Sequence, residues 1–260
     1  MAQCAAMTLE LDAPHVDLTF LTALSEERAE RLVAFLAAGL DGTVADIGCG
    51  WAELLLRTLE AAPGANGIGV DLDAASIAHG VELAAKRGLA DRVELVAGDA
   101  KKALPPRADA VICIGASQIW GPPVEEDQPL DHRSALRALR ALLEPGGRAV
   151  YGEGIWSTTP TEAAIAPLAG RLDEFVKLGD LLEIAVEEGF MPVQVHEANQ
   201  DEFDEFESGY SACYARWLAT HPADHPDAAG VREQAAAQRA AYYGGYRGVL
   251  GLAYLALVAV

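Results

Sequence analysis

Between Val44 and Glu53 the chain reads VADIGCGWAE: an apolar run, an acid, then glycines at 48 and 50. Those glycines let the backbone turn sharply out of a strand and into a helix while a ligand approaches it closely, which side chains would obstruct. A second acid, Asp71, closes the next apolar run, GIGVDLD. It follows the first glycine by about 20 residues, the spacing at which a carboxylate reaches ribose hydroxyls across the tips of neighbouring parallel strands. These two features commit the chain to an open parallel sheet with a cofactor loop at the carboxyl ends of its first strands.

Two cofactors fit that geometry, a dinucleotide or S-adenosylmethionine. The dinucleotide pattern needs a third glycine where this chain has Glu53, an acid that would sit beside an anionic pyrophosphate at the helix N-terminus. Asp46 would repel it too. S-adenosylmethionine carries a cationic sulfonium and an ammonium group, to which acids at the mouth of the loop are attractive.

DIGCGWA at 46–52, GVDLD at 69–73, Gly98-Asp99 after a strand and LEPGGRAVYGEG at 143–154 together resemble the motif series of the class I S-adenosylmethionine-dependent methyltransferases. The resemblance covers residues 25–198 and the last strand. It implies an α/β fold with a doubly wound, seven-stranded, mostly parallel sheet, an antiparallel C-terminal strand and a helical insertion before it. The implied activity is methyl transfer to O, N or C of a small molecule. By the same resemblance Asp46 and the loop Gly48, Cys49 and Gly50 hold the amino acid part of the cofactor, and Asp71 holds the ribose hydroxyls. Leu72 covers one face of adenine, Asp99 and Ala100 meet its edge, and Gly115 completes the set. The family's third loop glycine is Ala52 here, a methyl group the loop should tolerate. Two readings compete: a nicotinamide-dependent oxidoreductase, disfavoured by Glu53 and the antiparallel last strand, and a non-catalytic cofactor-binding scaffold.

A chain of 260 residues with 51% hydrophobic content can bury a large core as one domain with an elaboration. Its 39 acids against 19 lysines and arginines give a formal charge of −20, a field that repels phosphate backbones and anionic lipid surfaces. Nucleic acid and membrane partners are therefore not expected; a small-molecule acceptor is, and an oligomer is possible. The cysteines at 4, 49, 113 and 213 have no paired short spacing, which fits free thiols in a reducing cytosol. With no basic leader and no bilayer-length apolar run, a cytoplasmic location is expected.

Residues 1–24 lack periodicity and read as an N-terminal arm or lid, 25–198 as the cofactor-binding core, 199–247 as the helical insertion and 248–260 as the last strand. Ser25 with Glu26 and Glu27 is a helix start. Strands are expected at 43–47, 66–71, 92–96, 108–114, 148–152 and 190–197, alternating with helices at 51–61, 73–87, 132–143 and 172–188. The strand at 108–114 is apolar on both pleat faces, as a central strand covered by helices should be. Within the insertion Phe203, Phe206, Tyr210, Tyr214 and Trp217 recur at helical spacing and share one face. That face must bury against something, and a cap over the pocket is preferred to edge packing or a dimer contact. No separate hydrophobic core is expected for the insertion.

Ligands in such sheets bind beyond the strand carboxyl ends, so Ser117 and Trp120 after the fourth strand, Trp156 after the fifth and Tyr210 of the insertion are candidate substrate contacts. Methyl transfer is a direct displacement at an activated carbon, and the protein's task is alignment and exclusion of water. A general base is needed only if the acceptor must lose a proton; Glu153 and His15 are the candidates, with His132 a third. Glu125-Glu126-Asp127 with Asp131-His132, and His221 with Asp224-His225, show no recognisable ligand spacing, so no metal is expected.

Overall fold

The computed structural model describes residues 11–121, 129–168 and 170–260. The described chain opens with the arm, which carries a short 3-10 turn at Pro14–Val16, and continues into helix α1 (Glu26–Ala37). Ser25 caps α1 by accepting from the Arg28 N–H at 3.4 Å, with Glu26 and Glu27 complementing the helix dipole. Strand and helix then alternate: β1 (Thr43–Ile47), α2 (Glu53–Ala61), β2 (Asn66–Asp71), α3 (Ala74–Lys86), β3 (Val93–Ala97), α4 (Ala100–Ala103) and β4 (Ala108–Ile114). After β4 come α5 (His132–Leu142), β5 (Leu143–Trp156), α6 (Glu162–Ile165), α7 (Leu178–Glu187) and β6 (Phe190–Glu197). The insertion is α8 (Gln200–Thr220), α9 (Ala228–Ala241) and a π-helical turn at Tyr242–Tyr246, and β7 (Leu250–Ala259) closes the sheet.

The sheet has seven strands in the order β3-β2-β1-β4-β5-β7-β6. β1 to β5 pair in parallel, while β7 runs antiparallel to both β5 and β6. The pleat explains the strands that are apolar throughout. Val44, Ala110, Ile112 and Val150 face α1, α2 and α3, whereas Ala45, Ile47, Val111 and Tyr151 face α5 and α7. Each fully buried Leu or Ile in these layers contributes about 1.5–3 kcal/mol.

Two elements depart most from the expected bounds. β5 is longer, because pairing begins at Leu143 against Ala108, shifts register across Pro145-Gly146-Gly147 and then continues to Trp156 against Leu250 of β7. α7 starts at Leu178 rather than 172, because the backbone before it is held by the end of β5. Val176 bridges to Ile155 and accepts from Trp156 N at 3.0 Å, and Leu172 O accepts from the Trp156 indole at 2.8 Å.

β6 runs parallel to β5, so α8 leaves from the carboxyl edge of the sheet, where β7 also begins. The aromatic face of α8 meets different surroundings along its length. Phe203 and Phe206 pack on the main core with Tyr242 and Tyr246, Tyr210 is 41% exposed, and Trp217 packs with Ala228 and Val231 of α9. That last group is a small apolar cluster of the insertion's own, contrary to the expectation of none; α9 folds back on α8 and encloses it.

Candidate active site

At the carboxyl ends of β1, β2 and β4 lies a cavity of about 630 Å³, a size ordinary for a cofactor or ligand site. Its floor is the loop leaving β1. Gly48 and Gly50 take left-handed φ values of 68° and 55°, and Ala52 takes 61°, the conformation of the glycine it replaces. A Cβ at Gly48 would lie 2.5 Å from the Ala116 Cβ, so this glycine lets the β4 loop close on the floor.

Asp71 does more than face the cavity. Its Oδ2 accepts from Gly50 N at 2.8 Å and its Oδ1 from Asp73 N at 2.9 Å, so it ties the glycine loop to the tip of β2. Asp73 is the cap of α3, bonded to Ala75 N and Ser76 N at 3.1 Å. Leu72 stands 78% exposed on the cavity wall. Asp99 and Ala100 form the next wall, and the Lys101 N–H and the Lys102 ammonium hold the Asp99 carboxyl below its ordinary pKa. Asp46, Cys49 and Gly115 line the cavity as well, so the whole expected cofactor set is brought together there.

Asp46 is buried at the cavity floor, and burial followed by the Asp71 charge pushes its carboxyl up to about 8. The same burial, with the charges of Asp46 and Asp71, raises the Cys49 thiol, which stays protonated. Glu53 is bound by Arg57 at 2.7 Å and Arg87 at 2.6 Å. Its charge is therefore largely compensated, and it bears less weight against a pyrophosphate than the sequence implies.

The expected catalytic and substrate residues lie elsewhere. His15 stacks on His79 outside the cavity lining, because the arm turns it toward α3. Ser117 and Glu153 lie behind the β4 loop: Ser117 Oγ donates to Glu153 Oε2 at 2.6 Å, and Glu153 also accepts from Ser117 N and Gly154 N. Tyr151 hydroxyl bonds Ser117 Oγ at 2.6 Å and His132 Nδ1 at 2.9 Å, giving a continuous buried chain from His132 to Glu153. Burial raises the Glu153 and Tyr151 pKa values and lowers His132 to about 4. Trp156 is buried against Phe175, and neither Trp120 nor Tyr210 reaches the cavity lining.

The reading of residues 1–24 as an arm or lid does not say which of them wall the cavity. Phe20, Leu21, Thr22 and Leu24 of the arm line the cavity, with Leu21 against Gly50 of the loop. The arm is held by Trp51, whose indole donates to Thr19 O at 2.9 Å, and by Tyr254, which accepts from Thr22 Oγ1 at 3.0 Å and donates to Ala23 O at 2.8 Å. Toward α8, Ser25 N and Arg28 bond Glu202, and Arg216 pairs with Asp12 and Asp17. A phenylalanine, two leucines and hydroxyl residues without periodicity give no local signal of such a wall. Among the described residues no group of His, Cys, Asp or Glu could hold a metal ion, and no helix is long and apolar enough to cross a membrane. Glu125, Glu126 and Asp127 lie outside the described residues.

The sheet order, the antiparallel β7 and a left-handed glycine loop facing an acid at the tip of β2 define a Rossmann-like cofactor-binding fold. Residues 45–149 match a family described as a methyltransferase domain. The structure is similar to S-adenosylmethionine-dependent methyltransferases from Geobacter sulfurreducens and Thiobacillus denitrificans, each solved with S-adenosyl-L-homocysteine. Their TM-scores are 0.80 and 0.79 and their identities 27% and 28%, with 95% of this chain and 96% of each of theirs covered. The uncharacterized protein YjhP of Escherichia coli (strain K12) is 27% identical over 213 residues, 81% of this chain and 82% of its own. Residues 45–149 thus carry a methyltransferase domain, on a chain with the fold of the class I S-adenosylmethionine-dependent methyltransferases.

Proposed function

We propose that the protein moves the methyl group of S-adenosylmethionine to O, N or C of a small molecule whose body is largely apolar. The observation that carries this reading is the mixed lining of the cavity. The acids Asp46, Asp71 and Asp99 share the lining with an apolar set, Phe20, Leu21, Leu24, Ile114, Ala116 and Ile119. The acids and the glycine loop suit a cofactor with an ammonium, a ribose and an adenine: Asp46 for the ammonium, the 48–50 backbone for its carboxylate, Asp71 for the ribose hydroxyls, Leu72 and Asp99-Ala100 for the base. The cofactor supplies a methyl carbon already activated by its sulfonium.

The chain's own work is then alignment and exclusion of water. The arm roofs the cavity, and Ala116 and Ile119 face it from the β4 loop. Glu153 acts on that loop through Ser117, holding its N–H and hydroxyl, which makes it a positioning residue in this reading rather than a base in contact with the acceptor. A net charge of −20 disfavours nucleic acid as acceptor, and free thiols fit a cytoplasmic setting.

The test is a set of small acceptors of graded polarity, assayed with methyl-labelled S-adenosylmethionine, alongside calorimetric titration with S-adenosylhomocysteine and NAD. Binding of S-adenosylhomocysteine with label transfer to apolar acceptors is expected. Transfer confined to polyanionic or polymeric acceptors would overturn the acceptor reading, and preferential NAD binding would overturn the cofactor reading.

A further inference from the structure

The arm that roofs the cavity is fastened by three aromatic rings from three elements. His15, on the 3-10 turn of the arm, stacks on His79 of α3 with ring centroids 3.8 Å apart and planes 10° from parallel. Both imidazoles meet the Trp51 indole edge-on, at 6.0 and 6.3 Å. Trp51 follows Gly50 in the cofactor loop and, through Thr19 O, holds the arm one residue before Phe20 enters the cavity wall. The Leu21 side chain lies against Gly50, 3.7 Å from where a Cβ would stand there. Latch, loop and roof are thus contiguous.

We propose that the stacked His15–His79 pair is a proton-operated latch on the arm, closed while the imidazoles are not both charged and released when both are protonated, so that acidification speeds exchange of the cofactor product. Two neutral imidazoles, or one neutral and one charged, stack favourably. Two cations at this separation repel, enough even at the dielectric of water to shift the closed-to-open ratio by about fivefold.

The surrounding charges do not neutralise the pair. On α3, Glu82 lies 3.5 Å from Lys86 and forms an ion pair with it. From α2, Glu53 is engaged by Arg57 and Arg87. On the arm itself, Asp12 and Asp17 are engaged by Arg216 of α8. Burial, then the neighbouring His15, holds His79 below its ordinary pKa. A base whose folded pKa is depressed favours the closed form above its unfolded pKa of 6.5, and that advantage is lost as pH falls below it.

The experiment follows amide hydrogen exchange of residues 11–24, corrected for intrinsic rates, together with the dissociation rate of S-adenosylhomocysteine, at pH 7.5 and 5.5. In the wild type both should rise by about three- to fivefold at the lower pH. His15→Phe, which keeps a ring but cannot be charged, should abolish the rise in arm exchange, and His79→Gln should do the same by removing the other charge. Asp46 titrates too, so the arm's exchange and the comparison between variants isolate the latch. Arm exchange within twofold at the two pH values in the wild type, or an undiminished rise in both variants, would overturn the proposal.

Discussion

The raised pKa of Asp46 makes cofactor binding a proton-linked event. In the ligand-free protein its carboxyl sits at about 8, pushed there by burial and then by Asp71. An ammonium placed against it favours the ionised form, so binding expels the proton. With a free-state value of about 8 and a much lower bound-state value, linkage predicts release of about 0.9 proton per ligand at pH 7. It also predicts that S-adenosylhomocysteine affinity rises about 25-fold between pH 6 and pH 7.5, close to one decade per pH unit. The direction follows from the shift: the free protein holds the proton and the complex does not, so higher pH favours the complex until the free carboxyl is itself ionised. Titration calorimetry in buffers of different ionisation enthalpy measures the released proton directly, and the same titrations give the affinity at each pH. Asp46→Asn should flatten the profile and weaken binding by about 1.5–3 kcal/mol, as expected for loss of a charge-assisted hydrogen bond. Because the ionised carboxyl is costly to keep buried, that variant should also make the ligand-free protein more resistant to urea at pH 8. An affinity that varies less than threefold from pH 6 to 7.5, with no proton released, would refute the assignment of Asp46 to the ammonium.

Three further outcomes follow from the geometry. Asp71→Ala should weaken S-adenosylhomocysteine binding by about 1.5–3 kcal/mol and also raise hydrogen exchange at Gly50, whose N–H loses its acceptor; unchanged affinity in a folded variant would remove Asp71 from the site. Gly48→Ala combines a left-handed backbone with a Cβ 2.5 Å from Ala116, and urea denaturation should show a loss of about 2–4 kcal/mol, with weaker binding. Tyr254→Phe removes the hydroxyl that bonds both Thr22 and Ala23; it should cost about 1–3 kcal/mol and increase proteolysis of the arm, and a protease-resistant variant would show that the arm is held elsewhere.

The cofactor end of the site was legible in the sequence because its signals are local. A glycine pair after an apolar run, and acids at the ends of the next two strands, are consequences of a chain turning out of a parallel sheet. Asp71 was read as a cavity acid, but its grip on Gly50 joins two separate strand tips and leaves no pattern in either segment. An arm or lid was legible at residues 1–24, but not which residues wall the cavity, for the same reason: Phe20 to Leu24 are ordered by Trp51 and Tyr254, which are distant in sequence. Ser117 follows β4, but Glu153 lies within β5, paired with Ala253, rather than after it; which way a side chain turns there depends on the neighbouring loop, and here the two turn toward each other. Leu172, Phe175 and Val176 mimic a helical apolar face, whereas their backbone is engaged by β5. The aromatics of α8 do share spacing. A helix of 21 residues is long enough for one face to meet the core at its start and α9 at its end.

A crystal structure with S-adenosylhomocysteine bound tests the central claim most directly. The account predicts the homocysteine ammonium within hydrogen-bond distance of Asp46, the ribose hydroxyls on Asp71, and the sulfur turned toward Phe20 and Ile119, with apolar-walled space beyond it. A sulfur facing Asp99 and Lys101 instead, or one sealed from Phe20 and Ile119, would contradict it.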